Sequence, residues 1–395
     1  MSATGFRDRW AADTALAIPA IDRVDLYVFR APIAEPVRTS FGTMMNRPSV
    51  LVEITDKDGA IGWGEIWCNY PVCGAEHRAR LAAEVVGPHL LGRSFTNPPA
   101  AYRFLADTTR ILSLQTREFG PLDQVIAGFD LALWDLVARR QGRPLSEVLS
   151  GAAQPRQVPV YASGINPGGA VETVERARAS GFGAFKVKIG FDPEQDRRVV
   201  AALAEQKGAR ERLMVDANQA WDLERAKTMV AALEGFELDW LEEPMPVDAP
   251  SQAWQTLASA SRIPLAGGEN LASEAAFRDV AEAGWLSVIQ PDLAKWGGIS
   301  CCLPIADGVV DAGRRYCPHY LGGGIGLMAS AHALAAVRGD GLLEVDYNQN
   351  PLRELLATPF PSVSHGQMTM PTGPGLGVVP DLVAVRDWET LCLSA

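Results

Sequence analysis

Eight short apolar runs recur from about residue 155 onward, and their even spacing constrains the fold more than any other feature: VPVYASG, AFKVKIG, LMVDANQ, DWLEEP, PLAGGEN, SVIQPDL, RYCPHYL and LLEVDYN. Polar residues stand near their C-terminal ends: Tyr161, Lys186, Asp216, Glu242, Glu269, Asp292, His319 and Glu344, at separations of 25, 30, 26, 27, 23, 27 and 25. Each interval holds one strand, one helix and two turns. The stretches between, such as AVETVERARASG, EQDRRVVAALAEQ, LERAKTMVAALEG, SEAAFRDVAEAG and LMASAHALAAVRG, are rich in helix formers and mostly closed by Gly. Strands alternating with such helices pair in parallel through right-handed crossovers, and eight of them suggest a closed barrel. After the eighth run, NPLRELLATPFPSVSHGQMTMPTGPGLG is rich in Pro and Gly and lacks a final helix. The expected fold is therefore α/β, a modified TIM barrel of the (β/α)7β type.

The first 150 residues read differently. RVDLYVFRAP is a strand, SVLVEITDKDGAIGWGEIWC a hairpin around Asp58-Gly59, and helices are predicted across 76–93, 98–113 and 121–150. This is an α+β cap. The expected division is a flexible tail over 1–20, a capping domain over 21–150, the barrel over 151–350, and a C-terminal segment over 351–395 that returns to complete the cap. Between the cap strands, EPVRTSFGTMMNRP is long for a connection, which predicts a loop placed over the barrel mouth.

The charge balance, 36 basic against 47 acidic residues, gives −11 and argues against nucleic acid or an anionic membrane as partner, since both call for a basic patch. Six cysteines lie scattered without CxxC spacing, which suits reduced thiols, and no run of 18 apolar residues occurs. These features, with no convincing cleavage pattern at the N-terminus, predict a cytoplasmic location.

Lys186 and Lys188 share one face of AFKVKIG, because side chains two apart in a strand point the same way. On an edge strand they would sit in solvent, but a closed barrel has no edge, so both are expected to point into its mouth. Asp216, Glu242 and Glu269 end three successive strands, and carboxylates converging there would repel unless a cation sat among them. Ligation entirely by oxygen suits Mg2+. His319 and Asp292 end adjacent strands, so the carboxylate could orient the imidazole and raise its basicity. His77, His89, His332 and His365 are expected to be structural.

Together these place two bases, Lys188 and His319, on opposite sides of a metal. A small carboxylate substrate on that metal would present its α-carbon between them, and removing so weakly acidic a proton requires the enediolate charge to be held by Mg2+ and fixed donors. Lys186 would stabilise that oxyanion, and its charge would favour the neutral, proton-accepting form of Lys188.

These residues resemble the enolase superfamily, specifically its mandelate racemase branch. The similarity spans nearly the whole chain, through the cap, FKVKIG, VDAN, WLEEP, GGEN, QPDLAKWGG, PHYLGGGIG and LEVDYN. The resemblance implies Asp216, Glu242 and Glu269 as Mg2+ ligands, Lys188 as one base, and Asp292 with His319 as a dyad on the other face. It also implies that Glu344 hydrogen-bonds the substrate carboxylate, that Asn218 and Lys186 make further contacts, and that the protein is a homo-oligomer, a dimer or an octamer. Tyr161 and Asn270 are expected to join the substrate contacts. The muconate-lactonising and dipeptide-epimerase branch carries a lysine where Asp292 stands, and Lys295 does not restore it.

Dehydration of a sugar acid is the leading expectation. The lid sequence FGTMMNRP favours the alternative, racemisation of an α-hydroxy acid of the mandelate type, because Phe41, Met44 and Met45 would present an apolar surface. Arg47, Asn46, Asn69 and Tyr70 are left to bind hydroxyls. A non-catalytic barrel scaffold would be signalled by loss of a metal carboxylate or of Lys188, and none is missing.

Overall fold

The computed structural model describes residues 14–39 and 42–395. Two layers make up the cap. Its antiparallel sheet contains β1 (Ile21–Arg38), β2 (Thr43–Asp56) and β3 (Ile61–Ile66). Against it pack α1 (Gly74–Arg80), α2 (Pro98–Thr116) and α3 (Phe119–Arg140), the last buried along nearly its whole length. Such burial needs close approach to the sheet. At Gly64 of β3 an added Cβ would collide with the Gly128 carbonyl of α3.

Two expectations for the cap give way here. Residues 35–38 and 43–48 are not an open loop, because β1 and β2 extend into a hairpin arm with Pro32 paired to Asn46 and, beyond a bulge, Val37 paired to Met44. The predicted helix over 121–150 is broken at Gln141–Pro144. Gly142 adopts a φ of 64° and Pro144 starts a separate α4 (Leu145–Ser150), because proline cannot supply the N–H that a continuous helix requires. The segment after α1 likewise leaves α geometry, widening into a π turn over Leu81–Val86 and tightening into a 3-10 turn over Gly87–His89.

Eight parallel strands follow: β4 (Gln157–Ile165), β5 (Ala184–Lys188), β6 (Arg212–Asp216), β7 (Trp240–Glu242), β8 (Leu265–Gly267), β9 (Val288–Ile289), β10 (Arg315–Tyr316) and β11 (Leu343–Asp346). They pair in chain order from β4 to β10, and β11 returns to pair with β4. Seven helices connect them: α5 (Ala170–Ala179), α6 (Pro193–Gln206), α7 (Leu223–Leu233), α8 (Ser251–Ala260), α9 (Glu274–Ala283), α10 (Gly298–Asp311) and α11 (Gly324–Ala335). No full helix follows β11. After the short α12 (Pro351–Leu355), β12 (Val363–Ser364) and β13 (Gln367–Thr369) pair beside the start of β4, and β14 (Glu389–Ser394) joins the cap sheet against β1.

Within the barrel, Tyr161, Ala184, Met214, Trp240, Ala266, Val288, Cys317 and Leu342 form an interior apolar layer. The ladder sets what lies above it. Lys186 is level with Met214 and Trp240, whereas Lys188, two residues on, is level with Asp216 and Glu242. The strand period thus lifts ionic side chains above a packed floor. All six cysteines are free thiols. Among the described residues, no helix is long and apolar enough to cross a membrane.

Candidate active site

The two lysines of β5 survive burial because each has its own counterion. Lys186 is 2% exposed, forms a very short ion pair with Glu242, and lies 2.7 Å from Glu344 Oε1. Lys188 reaches Asp216 Oδ2 at 3.1 Å and Asn218 Oδ1 at 2.6 Å. Burial opposes the charge on both lysines, but the neighbouring acids outweigh it and hold both above the ordinary lysine value. Lys186 does lower Lys188 as expected, yet Asp216 and Glu269 prevail. Separate acids, rather than mutual tuning, explain the pair.

Asp216, Glu242 and Glu269 stand at the ends of three adjacent strands, and of the three Glu269 lines the cavity above them. Backbone and side-chain amides of Asn218 donate to Asp216 at 2.8 and 3.0 Å, and Asn218 itself takes a φ of 45°. Trp240 Nε1 at 3.0 Å and Gln290 Nε2 at 2.6 Å both donate to Glu242 Oε2. Burial lifts Glu242 to about 7; Lys186 pulls it down, while Asp216 and Glu344 push it up. Burial would also raise Glu269, but His319 and Lys295 hold it well below the usual carboxylate range.

On the opposite wall, His319 Nδ1 is 2.7 Å from Asp292 Oδ2, and its Nε2 forms a very short contact with Glu269. Asp292 is fixed in turn by the backbone N–H groups of Ala294 and Lys295, at 2.8 and 3.1 Å. Burial favours neutral imidazole, yet Glu269, Glu344 and Asp292 hold His319 well above its ordinary value. The loop after His319 is tied to the cap: Glu65 of β3 accepts from Gly323 N at 2.7 Å and Gly326 N at 2.9 Å. A Cβ at Gly323 would strike that carboxylate, which explains one glycine of PHYLGGGIG.

A cavity of about 50 Å³ lies above these groups, lined on its ionic side by Lys188, Asn218, Glu269, Lys295 and His319. Arg47, Asp346 and Asn348 stand at another part of its wall, and Val37, Met44, Trp67 and Leu321 supply apolar surface. Thus the hairpin arm does cover the mouth, through Val37, Thr39, Met44 and Arg47. Met45 instead is 67% exposed, and Phe41 lies outside the described residues. Asn46 accepts from Arg30 Nη1 at 3.1 Å and is not among the cavity residues, whereas Asn69 and Tyr70 are.

Tyr161 departs from its expected role. It is fully buried in the apolar layer, edge-on to Trp240 with ring centroids 5.4 Å apart, and does not line the cavity. The mouth-facing residue of β4 is Ser163, two positions on, whose Oγ donates to Glu344 Oε1 at 2.5 Å. The strand period allowed either residue, and the larger aromatic took the packed level. Tyr320 N also donates to Glu344, at 3.1 Å.

Two further groups belong to the mouth. Lys295 lies 3.2 Å from Glu269 Oε1 and 4.9 Å over the Trp67 ring. Glu243, raised to about 8 chiefly by burial, accepts from Asn270 Nδ2 at 2.8 Å and has a φ of 40°. Lys295 was visible in QPDLAKWGG as a cation three residues past Asp292. Glu243 was hidden because strand alternation alone turns it away from Glu242.

Asp216, Glu242 and Glu269 could hold a divalent cation. Among the described residues no three His, Cys, Asp or Glu side chains are gathered at ligand spacing, since each acid is turned to a lysine or histidine. Their chemistry nevertheless fits Mg2+: hard oxygen donors from three adjacent strands, with Asp216 raising Glu242 by repulsion that a cation would relieve. Positive φ at Asn218 and Glu243, just past the carboxylate strand ends, matches the clustering of backbone strain at working sites.

Residues 23–150 match the family described as mandelate racemase / muconate lactonizing enzyme, N-terminal domain, and residues 169–384 match the enolase C-terminal domain-like family. D-galactarolactone cycloisomerase from Agrobacterium fabrum is 34% identical over 351 residues, covering 84% of this chain and 89% of its own. The L-talarate/galactarate dehydratase of Salmonella typhimurium is 31% identical, with 78% of this chain and 79% of that protein covered. Among solved structures, a mandelate racemase/muconate lactonizing enzyme from Bordetella bronchiseptica RB50 superposes with a TM-score of 0.88 at 52% identity, covering 94% of this chain and 99% of that one. An L-talarate dehydratase from Polaromonas sp. JS666, complexed with Mg and L-glucarate, gives a TM-score of 0.80 at 26% identity, with coverages of 95% and 98%.

Proposed function

This chain belongs to the mandelate racemase/muconate lactonizing enzyme family of the enolase superfamily, and from that premise we propose that it dehydrates a sugar acid by removing the proton α to its carboxylate. It is an enzyme of the lyase or isomerase type, with Mg2+ as cofactor. The observation that carries the reading is the placement of Lys188 and His319 on one cavity above Asp216, Glu242 and Glu269.

In this assignment Asp216, Glu242 and Glu269 hold Mg2+, which when bound supplies the positive charge that makes the α-proton removable. Lys188 and His319 occupy opposite faces of the α-carbon. One takes the α-proton, and the other delivers a proton to the β-hydroxyl, which departs as water. The resulting enol tautomerises to a 2-keto-3-deoxy acid, so one water is lost and no redox change occurs. Asp292 fixes the His319 ring, leaving Nε2 toward the mouth. Lys186 supplies positive charge toward the substrate carboxylate, and Glu344, held by Ser163 and the Tyr320 N–H, fixes that lysine from 2.7 Å. Asn218 and Asn270 position the acids of the mouth.

A second reading, racemisation of an α-hydroxy acid, draws on the apolar wall of Val37, Met44, Trp67 and Leu321. The cycloisomerase relative adds a third reaction class. Proton NMR in D2O of the magnesium-loaded enzyme with sugar acids, lactones and α-hydroxy acids separates them. Loss of the α-proton with a 2-keto-3-deoxy product is expected. Exchange with inversion and no new product would replace dehydration by racemisation, and an isomer of unchanged mass by cycloisomerisation. Lys188→Ala and His319→Ala should each lower turnover by about 10²–10⁴, the usual contribution of a general acid or base.

A further inference from the structure

The cavity has two ends of different electrical character. Lys188, Glu269, Lys295 and His319 stand at the catalytic end. Arg47 from the hairpin arm and Asp346 and Asn348 from the end of β11 form a separate polar wall. Arg47 is 1% exposed, with Nη2 2.5 Å from Asp346 Oδ2, and its Nε is buried with no partner among the described residues. Asp346 Oδ1 accepts from Asn348 N at 3.0 Å and Asn348 Nδ2 at 2.8 Å, and Arg353 donates to its carbonyl. Burial works to protonate Asp346, yet Arg47 and Arg353 hold it below the usual range, so it is a carboxylate.

Every lysine or arginine lining this cavity is matched by an acid. Lys188 has Asp216 at 3.1 Å, Lys295 has Glu269 at 3.2 Å, and Arg47 has Asp346 at 2.5 Å. Of the candidate metal ligands Glu269 lines the catalytic end and Asp216 pairs with Lys188 there, so an added cation favours one carboxylate at that end. It does nothing for the far wall.

Resting on the reading of this mouth as a sugar-acid site, we propose that Arg47 and Asp346 form an electrically neutral wall that selects acids ending in a hydroxyl over acids with a second carboxylate. A terminal hydroxyl can accept from Arg47 and donate to Asp346. A terminal carboxylate would need Arg47 but would meet the carboxylate of Asp346, itself buried, where like charges repel strongly. Specificity of this kind comes from a repulsive element kept in place against the wrong ligand. The substrate class is therefore the sugar mono-acids.

Galactonate and galactarate, equal in length and differing at one terminus, are suitable probes. Their binding to magnesium-loaded Lys188→Ala protein, in which turnover is strongly slowed, is measured by calorimetry with and without Asp346→Asn. Galactonate is expected to bind about tenfold or more tighter. Asp346→Asn leaves the Arg47 charge uncompensated, so it should tighten galactarate and shift the ratio by a similar factor, a gain that misfolding cannot produce. Should that variant fail to fold, Arg47→Gln removes the larger of the two cationic influences on Asp346, leaves the carboxylate charge in excess at the wall and should widen the ratio instead. Tighter galactarate in the parent, a ratio unmoved by either variant, or failure of both acids to bind would overturn the proposal. Wild-type α-proton exchange with the same two acids keeps the readings apart: exchange that prefers galactarate removes the neutral wall alone, whereas absence of exchange with any sugar acid removes the dehydratase assignment.

Discussion

Asn270 touches more charge than its size suggests. Its Nδ2 donates to Glu243 Oε1 at 2.8 Å and to Glu269 Oε1 at 3.0 Å, while its Oδ1 accepts from Lys295 Nζ at 3.3 Å. One amide thus fixes a proposed metal ligand, a buried acid and a cation. Outer partners of this kind commonly account for 10- to 100-fold in metal affinity. Asn270→Ala should therefore weaken Mg2+ binding by about that factor in a calorimetric titration, with an unchanged far-UV spectrum. Unaltered affinity would reduce Asn270 to a packing residue. The acids of the mouth were legible in the sequence because strand ends in a barrel point one way. Asn270 was legible only as a neighbour of Glu269, and Glu243 not at all, because its orientation depends on a left-handed backbone that follows no strand period.

Elements join where the cap meets the barrel. Asp130 of α3 accepts from Ser300 N at 3.0 Å and Ser300 Oγ at 2.5 Å, so a cap helix satisfies the first turn of α10. Trp134, one turn on, donates to the same hydroxyl at 3.0 Å. Burial lifts Asp130 to about 7 despite these donors. An unfolded aspartate titrates near 4, so between about pH 4 and 7 the unfolded chain loses this proton while the folded chain keeps it, and the stability Asp130 supplies falls as pH rises. Asp130→Ala has no such titration. The gap between wild-type and variant unfolding free energies in urea should be largest at acid pH and narrow by roughly 3 kcal/mol from pH 5 to pH 8. A constant or widening gap would show that Asp130 is ionised in the fold. Such contacts explain what the sequence hid at this scale. The order and kind of the barrel strands and their connections followed from local periodicity. The hairpin arm and the break at Gln141–Pro144 did not, because they depend on what the cap segments meet in space.

For the whole molecule, the decisive fact is that the mouth carries its own counterions. Lys186 serves Glu242 and Glu344, Lys188 serves Asp216, Lys295 and His319 serve Glu269, and Arg47 serves Asp346. An acid left alone in such a place would destabilise the fold by several kcal/mol, whereas these pairs leave none of the proposed ligands uncompensated. Closure of the barrel through β11 and β4 pairs Glu344 with the packed Tyr161 and Asp346 with Ser163, and β14 joins the cap sheet away from the site, so none of the proposed metal ligands takes part in either. Folding and catalysis should therefore separate when the metal is withdrawn. Exhaustive chelation is expected to abolish turnover and to leave a cooperative melt with native far-UV signal. Restoring Mg2+ at a hundredfold over its dissociation constant adds only about 2.7 kcal/mol, which in a chain this long is a rise of a few degrees in Tm. Unfolding on chelation would mean that the cation, not the lysines and histidine, holds the acids together. Undiminished turnover after chelation would remove Mg2+ from the mechanism altogether.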